Sequence, residues 1–182
     1  MIELNRVEVA QDVLRVDYRV TNPEESPIYL FDLFWTVADK GFTLLPEESY
    51  RFFDGDTLVL QRAVQPMPPG MRLEEPETPY ASRLDAGATA ERSIVLPVPV
   101  ARFTAYGGPV TPGEEVGTPS RLVLSLGYVR RSDILNGWAV MSPKPKLGEG
   151  IFAPDAGLAL ELQRSFEAEL PVPEGLTGYL DQ

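Results

Sequence analysis

Leu14, Val16, Tyr18 and Val20 alternate with Arg15, Asp17 and Arg19. Successive side chains on a strand point to opposite faces, so this period of two builds a strand with one dry face and one wet face. Such a strand cannot satisfy its backbone alone. It must pair with neighbours and cover its dry face, which restricts the fold to packed sheets.

The pattern returns along the chain. The amino-terminal residues also read as a strand. Asn22-Pro23 closes the first clear run, because proline has no amide to continue a ladder and holds the preceding residue extended. From Pro27 to Val37, Tyr29, Phe31, Leu33, Trp35 and Val37 share one face, while Ile28, Leu30 and Phe34 weight the other. A strand apolar on both faces belongs inside a sheet. Phe52-Phe53-Asp54-Gly55-Asp56 precedes Leu58, Val59 and Leu60, and Asp54-Gly55 suits a type I′ hairpin, whose two central residues need positive φ. Asp85-Ala86-Gly87 leads into Ile94, Val95, Leu96 and Val98, with Pro97 and Pro99 marking that strand's end or an edge. Leu122, Leu124, Leu126 and Tyr128 repeat the alternation.

Three Pro/Gly-rich stretches separate these runs, near residues 61–85, 104–119 and 136–157. Pro66, Pro68, Pro69, Pro76 and Pro79 remove so many amide donors that an extended loop is expected there. The segment from Leu158 to Val172 supports two readings. Leu158, Leu162, Phe166 and Leu170 are spaced by four, as on a helix, but apolar residues fill every even position except Arg164. That regularity predicts one long strand, with a helix as the alternative.

Seven or eight strands without helix–strand alternation predict an all-β fold, an antiparallel β-sandwich in one domain spanning 1–182, with the three stretches as loop insertions. The strand, Asn22-Pro23 turn and aromatic strand resemble an immunoglobulin-like arrangement. So does the Leu84-Asp85-Ala86-Gly87 turn into an Ile/Val/Leu strand. The resemblance implies an architecture and no activity.

The 182 residues contain no histidine and no cysteine. No Ser-His-Asp or Cys-His relay, imidazole or thiolate zinc site, disulfide, thiol redox chemistry or histidine pH switch can be built from them. A net charge of −11 repels nucleic-acid phosphate and anionic lipid, so neither is expected as a partner. No apolar run approaches the roughly 20 residues that span a bilayer. Met1-Ile2-Glu3-Leu4-Asn5-Arg6 lacks the basic start and apolar core of a secretory signal, which makes a cytoplasmic location the expectation.

Asp54 and Asp56 are the candidate metal ligands, since two carboxylates around a glycine offer hard oxygens to calcium. A calcium site needs six to eight oxygens and the twelve-residue EF-hand spacing is absent, so a plain hairpin turn is the simpler expectation and no cofactor is required. A carboxylate pair for glycoside hydrolysis needs no histidine, but 27 acidic residues offer no spacing that singles one out. Arg130-Arg131 near Trp138 point to opposite faces of a strand and are expected to keep an edge soluble. Gly107-Gly108-Pro109 and Gly148-Glu149-Gly150 carry no phosphate-loop lysine and read as turns.

The leading expectation is a non-enzymatic protein-binding or assembly module. Long loops on a rigid β scaffold are where binding surfaces form, and Tyr80, Tyr106, Trp138 and Phe152 lie in or beside them as candidate anchors. The alternatives are a carbohydrate-binding or carboxylate-based hydrolase domain, or a hydrolase inhibitor acting through the Pro66–Pro79 loop. Trp35 and Trp138 discriminate among them, because sugar stacking needs exposed rings.

Overall fold

A computed structural model describes residues 1–38, 41–70, 78–107, 116–135 and 139–179. The chain is nearly all β. Its strands are β1 (Ile2–Ala10), β2 (Val13–Thr21), β3 (Ile28–Ala38), β4 (Gly41–Leu45), β5 (Tyr50–Asp54), β6 (Thr57–Arg62) and β7 (Tyr80–Leu84). After these come β8 (Thr89–Pro97), β9 (Val116–Gly117), β10 (Arg121–Arg130), β11 (Met141–Pro143) and β12 (Ile151–Pro154). Helix α1 (Ala156–Leu162) precedes β13 (Arg164–Leu170) and β14 (Gly178–Tyr179). None of the described helices is long and apolar enough to cross a membrane.

Two sheets share one apolar cluster. The smaller has the order β1-β2-β8, antiparallel throughout, and β2 sits at its centre. Leu14, Val16, Tyr18 and Val20 are all fully buried, as the alternation predicts, and they meet Leu58, Leu60, Leu122, Leu124 and Leu126 of the larger sheet. Each fully buried aliphatic side chain contributes about 1.5–3 kcal/mol. The hairpin that joins β1 to β2 turns through Gln11 and Asp12, whose φ values of 53° and 58° mark a type I′ turn made without glycine. The expected type I′ turn at Asp54-Gly55 is corrected. The two residues between β5 and β6 are Gly55 and Asp56, and of these only Gly55 has positive φ, 61°, which fits type II′.

The larger sheet has the order β11-β12-β7-β3-β10-β6-β5, with β13 also on β10 and β4 also on β3. It is mixed, which corrects the wholly antiparallel expectation. Strands β6 and β10 run parallel from Arg121↔Thr57 to Leu126↔Arg62, and the long connection between them makes that direction accessible. Beyond that register β10 pairs with β3, so one edge of β10 serves β6 and then β3. Gly127 lies at the handover. A Cβ there would stand 2.8 Å from the Cβ of Ala63, closer than carbon atoms pack.

The far face of this sheet carries a second cluster of Tyr29, Phe31, Val64, Ala81, Val129 and Ala159, covered by α1 through Ala156, Leu158, Leu160 and Leu162. Burial on both faces accounts for the apolar weight on both sides of β3 and β10. The long strand expected over 158–172 is thereby corrected. Asp155 caps α1 by accepting the Leu158 N–H at 3.0 Å, and Gln163 ends it. The Gln163 amide pairs with both backbone groups of Val64, at 2.8 and 3.1 Å, and the chain then extends as β13 along β10. Helical spacing governs the first half of the segment and alternation the second. The stretch 136–157, read as loop, holds β11 and β12.

One further correction concerns β3. Phe31 pairs with Ala81 and Leu33 with Tyr80, leaving Asp32 as the extra residue of a bulge. Tyr29 and Phe31 therefore face the α1 side, whereas Leu33 and Trp35 follow Tyr80 to the other face. The predicted single face from Tyr29 to Val37 breaks at Asp32.

Candidate binding surface

The bulge positions the most exposed aromatic surface among the described residues. Past Asp32, β3 continues with β4 as a hairpin in which Trp35 pairs with Leu44 and Val37 with Phe42. Trp35, Phe42 and Tyr80 then meet. Ring centroids lie 5.7 Å apart for Trp35–Phe42, 5.7 Å for Phe42–Tyr80 and 6.0 Å for Trp35–Tyr80, with interplanar angles of 21°, 21° and 33°. A column would hold its outer rings about twice as far apart as its neighbours. Phe42 instead stacks against both Trp35 and Tyr80, whose own contact is tilted, so the three rings form one near-parallel cluster, the platform. Trp35 is fixed in it by its indole N–H, which donates to the Thr78 carbonyl at 2.8 Å. Phe42 is 39% exposed and Val37 68%, so the platform's apolar rim stands in water. The distribution of burial matters here, since a scattered exposed apolar residue is ordinary but a contiguous aromatic patch marks contact with something.

The sequence candidates separate. Tyr80 belongs to the platform. Phe152 pairs with Ala81, the next residue of β7, and so lies on the opposite face, where it packs edge-on against Tyr29 at 4.8 Å as part of the core. Tyr106 is half-buried, and its hydroxyl donates to the Gln65 carbonyl at 3.1 Å; burial raises its pKa. It lines a separate cleft of about 420 Å³ with Phe52, Gln61, Pro66 and Arg102. Trp138 lies outside the described residues. Asp54 and Asp56 flank an exposed turn, where the Asp56 carboxylate accepts from the Ser120 hydroxyl. Among the described residues no group of three or more acidic side chains is placed to hold a metal ion. Arg130 is held by Asp133 and Glu24, and Arg131 donates to the Ile134 carbonyl.

Phe42 and Val37 were not singled out from the sequence as binding residues. The available signal was Gly41-Phe42-Thr43-Leu44-Leu45, a short uncharged run with no proline, directly after the aromatic strand.

A larger cleft, about 690 Å³, opens where the β2–β8 sheet meets β3 and β12. Arg15, Asp17, Glu47, Arg92 and Ser93 line it, and of these Arg15, Asp17, Arg92 and Ser93 are engaged in hydrogen bonds and ion pairs. Arg15 Nε donates to Asp17 Oδ2 at 2.9 Å and Ser93 Oγ to Asp17 Oδ1 at 2.6 Å. The hydrogen bond from Arg15 holds the Asp17 carboxyl below the usual carboxylate range. Arg92 enters the core beneath, where its Nε meets Asp32 Oδ2 at 2.5 Å. Ser82 donates to the same carboxylate through its N–H and its hydroxyl, so Asp32 binds the strand amide beside its own bulge. Arg62, fully buried, donates to the carbonyls of Pro46, Glu48 and Ser93 and to the Tyr18 hydroxyl. These networks fasten the sheets together.

Comparison with protein-family models, with curated proteins and with solved structures finds no significant match to this chain.

Proposed function

We propose that this chain is a non-enzymatic protein-binding module on an immunoglobulin-like sandwich, and that it binds through the Trp35–Phe42–Tyr80 platform at the β3–β4 hairpin. One observation carries the reading: three large rings are gathered, fixed by the Trp35–Thr78 hydrogen bond and left exposed at the Phe42 and Val37 rim. Rigid aromatic side chains give large contact area at small entropic cost, which is why they dominate the energy of interfaces. In the charged cleft, by contrast, Arg15, Asp17 and Ser93 are spent on one another and Arg92 on Asp32. Calcium has no part in the proposal, and the melting temperature is expected to be the same with calcium as with a chelator.

The test is quantitative affinity capture from source-cell lysate with the wild-type chain and with Phe42→Ser and Tyr80→Ser. A protein captured by the wild type and reduced at least about tenfold with both variants supports the platform, tenfold being about 1.4 kcal/mol. An identical set of captured proteins with all three chains overturns it.

A second reading is carbohydrate binding, because the exposed Phe42 ring of the platform can also stack on a sugar ring. A soluble oligosaccharide that raises the melting temperature of the wild type but not of Phe42→Ser would favour it. The hydrolase alternative would place a carboxylate in the cleft, where that of Asp17 is already engaged by Arg15 and Ser93. The inhibitor alternative would use the Pro66–Pro79 loop, whose residues 71–77 lie outside the described ones.

A further inference from the structure

We propose that the open edge of β4 takes an extended basic segment of the partner protein as an added strand, a proposal that rests on the binding-module reading above. Among the described residues β4 pairs only with β3, and its other side has no strand. Alternate residues of such an edge turn N–H and C=O groups outward, where an extended peptide can satisfy them.

The edges of β8, β5, β1 and β13 are guarded, and the three-residue edge strand β11 ends in Pro143. On β8 the Val95 N–H donates to the Glu47 carbonyl at 3.1 Å, and the Ser93 and Glu91 carbonyls accept from Arg62 and Arg92. Guanidinium groups and a loop stand there in place of a strand. Arg51 of β5 exchanges two backbone bonds with Phe103, both 2.8 Å. Strand β1 is irregular between Leu4 and Arg6 and carries Glu3, Arg6 and Glu8. Strand β13 presents Arg164, Glu167 and Glu169. Charge and irregular pairing are the usual devices that stop sheets from pairing edge to edge. By contrast β4, Gly41-Phe42-Thr43-Leu44-Leu45, has no charge, no proline and no bulge in its register with β3.

Net charge selects the occupant. A second copy of this chain would bring −11 against −11, whereas a basic segment is drawn to an acidic protein and held there. Glu47, exposed two residues beyond β4, places a carboxylate at the end of the edge. Apolar side chains at alternate positions of the segment would lie on the platform beside Phe42 and Leu44, and the basic ones would face water and Glu47.

The test uses the whole chain and two synthetic peptides, one alternating lysine with valine and one alternating glutamate with valine. The lysine–valine peptide is expected to bind, to slow hydrogen exchange of β4 amides by about tenfold, and to weaken severalfold as salt shortens the roughly 8 Å screening length. Phe42→Ser and Leu44→Pro, which removes an outward N–H of the edge, should both lose it, the latter with its fold checked by thermal melting. Equal binding of the two peptides, or slowed exchange elsewhere with β4 unchanged, overturns the proposal. So does concentration-dependent self-association in ultracentrifugation that Leu44→Pro removes, which would make a second copy the occupant. If Phe42→Ser releases the captured partner but wild-type β4 amides gain no protection with that partner bound, the platform reading stands and strand addition fails. If Phe42→Ser releases nothing, both fail.

Discussion

Asn22 is fully buried, yet every polar atom of its side chain is used. Its amide donates to the carbonyls of Ser26, Leu84 and Asp85 at 3.0, 3.1 and 3.0 Å, and its Oδ1 accepts the Glu24 N–H at 2.9 Å. One side chain thus ties the end of β2 to the start of β3 and to the β7–β8 turn. Truncating it would take this donor from the Ser26 and Leu84 carbonyls, while that of Asp85 keeps the Ala88 N–H, and a buried polar group without a partner costs about 1–3 kcal/mol. Asn22→Ala is expected to lower the unfolding free energy by about 3 kcal/mol in urea titration, while Asn22→Asp, which replaces the donors with a charge, should do no better. Asp32 offers a parallel case. Asp32→Ala would leave the half-buried Arg92 and the Ser82 N–H and hydroxyl without their carboxylate and is expected to cost about 2 kcal/mol, since groups left without a partner carry an uncompensated desolvation penalty. A loss below about 1 kcal/mol in either case would show that water replaces the missing groups.

At the scale of elements, the handover along β10 decides the arrangement. Strands β6 and β3 meet its edge end to end, and the gap between them is closed by Ala63, Val64 and the Gln163 amide. Gly127 permits that approach. Gly127→Ala would set a methyl 2.7 Å from Gln163 Oε1 and 2.8 Å from the Ala63 Cβ, and is expected to destabilise by about 1–3 kcal/mol. Gln163→Ala, which loses both bonds to Val64, should cost about 1–2 kcal/mol and free the α1–β13 junction for faster hydrogen exchange than the rest of β10. If Val64 and Leu158 amides exchange no faster in that variant, the amide pair does not set the junction.

At the scale of the whole molecule, charge sets the response to pH. Hydrogen bonds from Arg15 to Asp17, from Arg130 to Asp133 and from Arg121 to Glu169 hold these carboxyls below their ordinary values of 3.8, 3.8 and 4.5. A carboxyl depressed on folding stabilises the native state above its unfolded pKa and stops doing so as pH falls through the folded one. The melting temperature is therefore expected to hold down to about pH 5 and to fall below it, with a shallower fall in Asp17→Asn. Tyr18 works in the opposite direction. Its burial, more than the opposing nearby guanidinium of Arg62, raises its pKa above the ordinary 10.0. The neutral phenol is stabilising below pH 10.0, and that contribution is lost as pH rises beyond it. Ultraviolet titration should find one fewer late-ionising phenol in Tyr18→Phe than in the wild type.

Much of this architecture was legible in the chain. Period-two runs in β2, β3 and β10 determine strands, because alternation has no other use in a backbone that must pair. Proline at Pro23, Pro97 and Pro99 determines where they stop. The absence of histidine and cysteine excludes whole classes of chemistry without any structure. The rest belongs to contacts between distant residues. The split of 158–172 into α1 and β13 depends on Val64, 99 residues before Gln163, and no local pattern carries that bond. The parallel β6–β10 pair depends on which strand reaches β10 across a long connection. The platform depends on Asp32: its bulge turns Trp35 onto Tyr80's face, and its carboxylate is held by Arg92 and Ser82 from two other strands. Local sequence determines which segments extend and which side is dry, because those follow from the geometry of one strand. Tertiary structure alone decides which dry surfaces meet and which one is left exposed, because that choice is made by whichever partner arrives to cover them.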